Sequence, residues 1–257
     1  MNELDRFRMD GRVALVAGGS GGIGVRVCAA LAGVGARVGI IGRRAEPLDE
    51  ARRGAGDALV LTGDMTVEAD ADRVVDEAMR EWGRVDVLVN AIGGGAGTAL
   101  HPAETYPESE WDRIVDLNLR SQFLASKAAA RAMIAGGRGG RILNISSVRG
   151  QLGIDNGFSA YVAAKGAMNA LTRQHATEWA KHGITVNAIS PTFVRTPQVE
   201  SLLADQAFVD GLLARIPLRR IAETDDLVGA VLFFCSDASA FCTGQVLTLD
   251  GGLTATQ

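Results

Sequence analysis

The chain contains 257 residues with a formal net charge of −4, and 47% of the residues are hydrophobic. This length suits one large α/β domain, and such mild acidity argues against nucleic acid or an anionic membrane as the main partner. The charged start of the chain lacks the apolar core of a signal peptide, and no apolar run approaches the ~20 residues that span a bilayer.

The cysteines and histidines show no pattern of a metal site. Cys28, Cys235 and Cys242 stand in mostly apolar surroundings, which is typical of reduced thiols in a cytoplasmic protein. Neither these cysteines nor the three histidines have the spacing of metal ligands, so we expect no bound metal.

The first predicted strand, over residues 12–17, ends in a glycine-rich loop, and an alanine-rich helix follows over 25–32. Strand, glycine turn and helix in this order form the context in which such a loop indicates phosphate binding. Without Cβ atoms the backbone can approach a pyrophosphate, whose charge meets the N–H groups at the helix start. Two glycine spacings fit the loop, and the residues alone leave both open: Gly19, Gly21 and Gly24, or Gly18, Gly22 and Gly24.

A second predicted strand, over 36–41, is followed by Gly42, Arg43 and Arg44. This point lies about 20 residues past the glycine loop, where an acidic residue would hold the ribose 2′-hydroxyl of NAD. No acidic residue is present there. Two arginines suit a 2′-phosphate through charge-assisted contacts, so we predict NADP(H) rather than NAD(H). A solvated basic turn is the alternative interpretation.

Strands and helices alternate along the rest of the chain. The remaining predicted strands cover 58–61, 85–90, 141–145, 184–189 and 245–249, and the helices cover 67–82, 108–134, a segment that ends at about 181, and 225–235. This alternation predicts a single-domain, Rossmann-type doubly wound parallel sheet of about seven strands with helices on both faces. Residues 197–220 are predicted to form one or two short helices in an insertion that covers the substrate. Its apolar positions either line a pocket or pack beneath surface helices: Val199, Leu202, Leu203, Phe208 and Leu212.

Tyr161 and Lys165 stand four residues apart in an alanine-rich segment, so a helix would place both on one face. An ammonium about 4 Å from the phenol contributes on the order of 4 kcal/mol, which would lower the pKa of the phenol by about three units. Tyr161 would then serve as an acid–base catalyst near neutral pH. Ser146 and Ser147 follow the strand over 141–145, at the edge where open α/β sheets bind ligands. An ordinary amphipathic helix surface is the alternative for the Tyr–Lys pair.

Taken in order, these motifs from Gly11 to Gly252 resemble the short-chain dehydrogenase/reductase family. That family has a catalytic tetrad, which matches Asn118, Ser147, Tyr161 and Lys165 here. Of the two glycine spacings, the glycine motif of this family matches Gly18, Gly22 and Gly24. The resemblance assigns cofactor contacts to the glycine loop, the strand ends and the Tyr161 helix: Gly18, Ser20, Gly22, Ile23, Gly24, Arg43, Arg44, Asp64, Met65, Asn90, Gly93, Tyr161, Lys165, Pro191, Val194 and Thr196.

Four positions depart from the family pattern. Ala17 replaces a threonine before the glycine loop, Ala91 replaces an asparagine that braces the central strands, and Thr192 replaces a glycine. Ser147 precedes Tyr161 by 14 residues, one more than the family spacing, which predicts a one-residue insertion beside the substrate.

The resemblance implies hydride transfer between the nicotinamide of NADP(H) and a carbonyl carbon, in either direction. Tyr161 would donate a proton to the alkoxide, and Ser147 would hydrogen-bond the same oxygen. Lys165 would lower the pKa of the phenol and hold the nicotinamide ribose, and Asn118 would position a water that relays protons. A homotetramer is implied as well.

The substrate class stays open between a ketone, a keto sugar acid and a 3-oxoacyl thioester. Residues 149–158 mix polar and apolar side chains, which suits either recognition of a hydroxylated substrate or a solvated loop. The alternatives for the whole protein are an NAD-dependent alcohol or polyol dehydrogenase of the same fold and a nucleotide-binding sensor without turnover.

Overall fold

The strands of the computed structural model, which describes residues 2–94, 97, 100–155 and 157–255, form one parallel sheet. Residue 156, in the predicted substrate segment, lies outside the described residues. The spatial order is β3-β2-β1-β4-β5-β6-β7. The strands are β1 (Val13–Ala17), β2 (Arg37–Gly42), β3 (Leu59–Thr62), β4 (Val87–Asn90), β5 (Gly140–Ile145), β6 (Ile184–Pro191) and β7 (Val246–Leu249).

Helices cover both faces of this sheet, which confirms the predicted doubly wound fold. The helices are α1 (Gly22–Gly33), α2 (Ala45–Arg52), α3 (Glu68–Trp82), α4 (Glu108–Val115), α5 (Ser121–Gly136), α6 (Ser159–Trp179), α7 (Glu200–Leu203), α8 (Gln206–Arg215) and α9 (Asp225–Cys235). In the described part of the chain, none of them is long and apolar enough to cross a bilayer.

The alternation of side chains along β1 divides the core into two layers. Ala14 and Val16 pack in the cluster that includes side chains of α1, α2 and α9. Val13 and Leu15 pack in the opposite cluster, with side chains of α3, α5 and α6. Because both faces of the strand are buried, its sequence reads as a continuous apolar run.

Two helices differ from the sequence prediction. Helix α2 was not predicted, because its eight residues are too few for a clear apolar period; buried Leu48 and Ala51 attach it to the core. The helix predicted over 108–134 is interrupted by a π-helical turn, Asp116–Arg120, which joins α4 to α5. π-Helical turns are rare in proteins overall, and those that do occur are often found at functional sites.

Buried amides connect the central strands to the helices. The Nδ2 atom of Asn90 donates to Asn144 Oδ1 and to Ser126 Oγ, each at 2.9 Å. Asn144 in turn donates to Thr172 Oγ1 at 3.0 Å. This network joins β4, β5, α5 and α6, and so supplies bracing near Ala91, where the family's bracing asparagine is missing.

Candidate active site

A cleft of about 280 Å³ opens at the carboxyl ends of β1, β4, β5 and β6, the edge at which open α/β sheets bind their ligands. Loops after these strands line it, together with α6 and the segment that follows β6. The predicted site residues in its wall are Gly22, Ile23, Gly24, Gly93, Ser147, Tyr161, Lys165, Pro191, Val194 and Thr196. The structure therefore brings the predicted catalytic Tyr, Ser and Lys next to the glycine loop.

The glycine loop forms a bare backbone cradle at the start of α1. A Cβ atom added to Gly24 would lie 2.1 Å from Gly18 O, and one added to Gly22 would lie 2.7 Å from Thr196 Cβ. Gly18 also has a left-handed φ of +81°, whereas a Cβ on Gly21 would meet nothing closer than 3.4 Å. The structure thus requires glycine at Gly18, Gly22 and Gly24, and also at Gly19, where a Cβ would lie 2.5 Å from Ile40 Cγ2. This cradle fits the diphosphate of a dinucleotide.

Of the two adjacent serines, Ser147 is the one that acts on Tyr161, because its side chain lowers the pKa of the phenol. The Ser147 Oγ also accepts the N–H of Arg149 at 3.1 Å. The Ser146 hydroxyl donates instead to Asn169 Oδ1 at 2.6 Å, away from Tyr161. Ser147 is therefore the serine that can act on the same oxygen as the phenol.

The buried ammonium of Lys165 lies beneath the cleft. Its Nζ donates to Ile145 O at 2.9 Å, and 2% of the residue is exposed. Burial lowers the pKa of Lys165 from an ordinary value of 10.5 to about 8. An amine that loses its proton this readily is typical of functional sites rather than of helix surfaces.

The pKa of Tyr161 does not follow the sequence prediction of a lowering by Lys165. Burial raises the pKa of the phenol, and the Ser147 hydrogen bond and the charge of Arg149 offset this only in part. Lys165 Nζ lies 5.7 Å from the centre of the Tyr161 ring and is itself desolvated, so its effect is weaker than the expected ion pair. At neutral pH Tyr161 is consequently a protonated phenol, ready to donate.

Asn118 explains the π-helical turn between α4 and α5. Its Oδ1 accepts the N–H of Gly94 at 2.8 Å, and its Nδ2 donates to Gly94 O at 3.0 Å and Ile114 O at 2.9 Å. A Cβ on Gly93 would lie 2.9 Å from Asn118 Oδ1 and 3.1 Å from Lys165 Nζ. Asn118 thus fixes the loop after β4 close to Lys165, while its side chain does not itself line the cleft.

The predicted adenosine-side residues gather at the ends of β2 and β3. Arg43 and Arg44 are exposed, and neither forms an ion pair within the described residues. Ser20 lies beside Gly42, the residue that precedes them, because a Cβ on Gly42 would lie 3.4 Å from the Ser20 Oγ. Asp64 Oδ1 accepts the N–H and the hydroxyl of Thr66 at 2.9 and 2.7 Å.

Two predicted cofactor residues have their side chains in the interior. Met65 is 2% exposed and packs in the core cluster with α3 and α5, and Asn90 is fully buried in the amide network. Any contact of these two residues with a cofactor must therefore come from their backbone.

The sequence predicted Arg149 only as part of a segment that could recognise the substrate, and Thr192 only as a departure from the family pattern; both line the cleft. Arg149 is 7% exposed, and its position two residues after Ser147 is the signal that points to it. Thr192 is the departure from the family glycine; its buried Oγ1 has no hydrogen-bond partner in the described part of the protein.

The lowered pKa of Lys165 predicts how stability depends on pH. The folded protein binds the proton less tightly than the unfolded chain, so this group destabilises the fold below pH 8, and the destabilisation disappears as pH rises from about 8 towards 10.5. Between about pH 6 and pH 9.5, wild-type protein should gain about 2 kcal/mol in free energy of unfolding relative to Lys165→Met.

Urea unfolding of both proteins across this pH range measures the gain. Lys181→Met, at an exposed position, is the matched control and should show no such trend. If the free energies of unfolding of wild type and Lys165→Met change in parallel with pH, that result would contradict the desolvation of the Lys165 ammonium.

Comparison with known proteins agrees with this geometry. The family profile described as enoyl-(acyl carrier protein) reductase matches residues 17–254. A gluconate 5-dehydrogenase of Gluconobacter oxydans is 38% identical over 258 residues, which cover 99% of each protein. An uncharacterized oxidoreductase of Mycobacterium tuberculosis is 40% identical over 258 residues, covering 98% of this chain and 94% of the relative.

A solved structure shares the whole fold. It is a gluconate 5-dehydrogenase from Burkholderia cenocepacia in complex with NADP and tartrate, with a TM-score of 0.92, 36% identity and 99% of both chains covered. Relatives of this kind are oxidoreductases that interconvert alcohols and carbonyls with NAD(P). Full-length similarity, the seven-stranded parallel sheet and the cleft at its carboxyl edge agree: the chain belongs to the short-chain dehydrogenase/reductase family.

Proposed function

We propose that this protein interconverts a carbonyl compound and a secondary alcohol with NADP(H), and that Tyr161 is the acid and base. The observation that carries the proposal is the meeting of Ser147, Tyr161 and Lys165 in one cleft beside the glycine cradle. When bound, NADPH supplies the hydride that reduces the carbonyl carbon. The protein supplies the proton and the hydrogen bonds.

The raised pKa of Tyr161 keeps the proton available in the reduction direction. The phenol donates this proton to the developing alkoxide, and the Ser147 hydroxyl donates a hydrogen bond to the same oxygen. Lys165, buried next to the tyrosine ring, then stabilises the phenolate that is left. Asn118 acts through the loop after β4, whose Gly93 packs against Lys165.

The basic end of β2 supports a preference for NADP(H). Arg43 and Arg44 have no carboxylate partner within the described residues, and the strand ends in Gly42 without the acidic residue that would bind a free 2′-hydroxyl. Ser20 adds a hydroxyl beside Gly42. The related structure from Burkholderia cenocepacia was solved with NADP, which is consistent with this assignment.

Among the three substrate classes, we favour a keto sugar acid and the corresponding hydroxy acid. Two relatives over the full chain length are gluconate 5-dehydrogenases. The cleft combines Ser147 and Arg149 with apolar Ile154, Phe158 and Leu202, which suits a small polyhydroxylated molecule better than a long acyl chain.

The contacts of the segment after β6 support the proposal that this segment covers the substrate. Val199 and Leu202 line the cleft. Leu203, Phe208 and Leu212 instead pack with one another and with the chain after β5, which holds α7 and α8 in place. Some apolar positions of the segment therefore line the cleft, and the others pack beneath the surface helices α7 and α8.

We also propose that the protein is cytoplasmic and that it forms a homotetramer. Cys28, Cys235 and Cys242 are all free thiols, as expected in a reducing compartment. Phe241 is fully exposed and Phe123 is 40% exposed, and apolar surface of this kind suits burial against further subunits.

Tyr161→Phe should abolish turnover and leave NADPH binding nearly intact, because only the proton donor is lost. A panel of carbonyl substrates followed by NADPH absorbance measures turnover, and quenching of protein fluorescence measures binding. Phe158→Leu, at a neighbouring position of the cleft, is the control for a simple packing effect. Retention of more than a few per cent of activity in Tyr161→Phe would exclude the proposed acid.

Arg43→Ala should raise the KM for NADPH about 10- to 150-fold and change the KM for NADH little, because a charge-assisted contact contributes about 1.5–3 kcal/mol. Arg53→Ala removes an exposed arginine at the far end of α2 and should leave both KM values unchanged. A wild-type kcat/KM that is higher with NADH would contradict the assignment of the basic strand end.

A further inference from the structure

Arg149 is a buried cation in the wall of the cleft. It lies in the short helical turn Val148–Gly150 that follows β5, and 7% of the residue is exposed. Its backbone N–H contacts Ser147 Oγ, and its charge lowers the pKa of Tyr161. The guanidinium therefore belongs to the immediate surroundings of the reacting groups.

No carboxylate balances this charge in the described part of the protein. Within the described residues, the side chain of Arg149 donates one hydrogen bond, from Nη1 to Gly153 O at 3.1 Å, although a guanidinium has five N–H donors. Arg141, another largely buried arginine, is bonded to Ser236 O and Gly140 O and pairs with Asp237 at 3.3 Å. Buried charges in proteins are normally paired in this way.

The electrostatic surroundings of Arg149 favour an anion. Burial lowers the pKa of Arg149, and the positive charge of Arg215, at the end of α8, lowers it further. Within the cleft wall itself, Lys165 is a second positive group beside Arg149. A negative group bound here would reduce the repulsion between the positive groups, and it would accept hydrogen bonds from the unpaired N–H donors of Arg149.

We propose that Arg149 binds the carboxylate of the substrate while Ser147 and Tyr161 hold its reacting carbonyl or alcohol. This inference rests on the proposed function and narrows it to keto acids and hydroxy acids. The planar fork of the guanidinium matches a carboxylate in bidentate geometry. Arg149 is thus the residue that selects acids over uncharged ketoses and polyols.

A purely structural role makes a different prediction. If Arg149 only holds the loop through Gly153, its replacement would affect charged and uncharged substrates alike. Selectivity between an acid and its uncharged analogue separates the two roles.

The test compares reduction of 5-keto-D-gluconate with reduction of L-sorbose, which carries a hydroxymethyl group in place of the carboxylate. Wild type should prefer the acid through KM, and Arg149→Gln should raise the KM for the acid about 10- to 150-fold while changing that for the ketose little. Arg149→Lys should keep part of the preference, and Arg80→Gln, at an exposed site on α3, should keep all of it.

A second measurement does not depend on turnover. Titration calorimetry with 5-keto-D-gluconate on protein saturated with NADP should show binding to wild type and a 10-fold or larger loss in Arg149→Gln. Melting temperature and NADPH affinity of the variants confirm that they are folded.

The outcomes separate this inference from the proposed function. Turnover without preference for the acid, or an equal loss for both substrates in Arg149→Gln, overturns the carboxylate site and leaves the reaction standing. Binding of the acid that depends on Arg149, without turnover of any carbonyl, supports the site and overturns the reaction. Failure of the acid to bind wild type overturns the site.

Discussion

Desolvation of the Tyr161–Lys165 pair is the constraint on which the rest of the site depends. Where α6 meets the carboxyl edge of the sheet, Lys165 is 2% exposed and Tyr161 is half-buried, and this burial makes both side chains favour their neutral forms. A neutral phenol is a proton donor, and an ammonium with a pKa of about 8 responds strongly to any nearby negative charge. The same burial that makes the pair reactive costs stability, as is common at functional sites.

The surrounding structure maintains this arrangement through contacts that bring no chemistry of their own. Ile145 O accepts the Lys165 ammonium, and the Asn118 amide fixes the loop after β4 against it. That amide bonds both its own helix and Gly94, which is why the helix widens into a π turn at this point. Below the site, the Asn90–Asn144 network fixes the central strands β4 and β5, and Ser147 follows β5. These groups hold in position the elements that carry Ser147, Tyr161 and Lys165.

Local patterns predicted the sheet and the glycine loop, because buried strands and cofactor loops are recognisable within a few residues. The structure distinguishes the two glycine spacings at Gly18 and Gly21, since Gly18 has a left-handed φ and a Cβ on it would lie 2.8 Å from the backbone of Ala91, whereas Gly21 has room for a side chain. Contacts between distant parts of the chain were beyond sequence reasoning. The bond between Asn118 and Gly94 spans 24 residues, and the isolation of Arg149 is visible only once its whole surroundings are known. The pKa of Tyr161 was predicted in the wrong direction, because spacing gives the proximity of a charge but not the loss of water.

The central claim is that burial keeps Tyr161 protonated at neutral pH. The chain has two tyrosines, so a pH titration of the protein labelled with ¹³Cζ-tyrosine gives two NMR resonances, and Tyr161→Phe assigns them. We expect the Tyr161 resonance to remain that of a phenol beyond the ordinary pKa of 10 in protein without added cofactor. Ionisation of Tyr161 near pH 7 under these conditions would show that charge, rather than desolvation, controls the site, and would contradict this account.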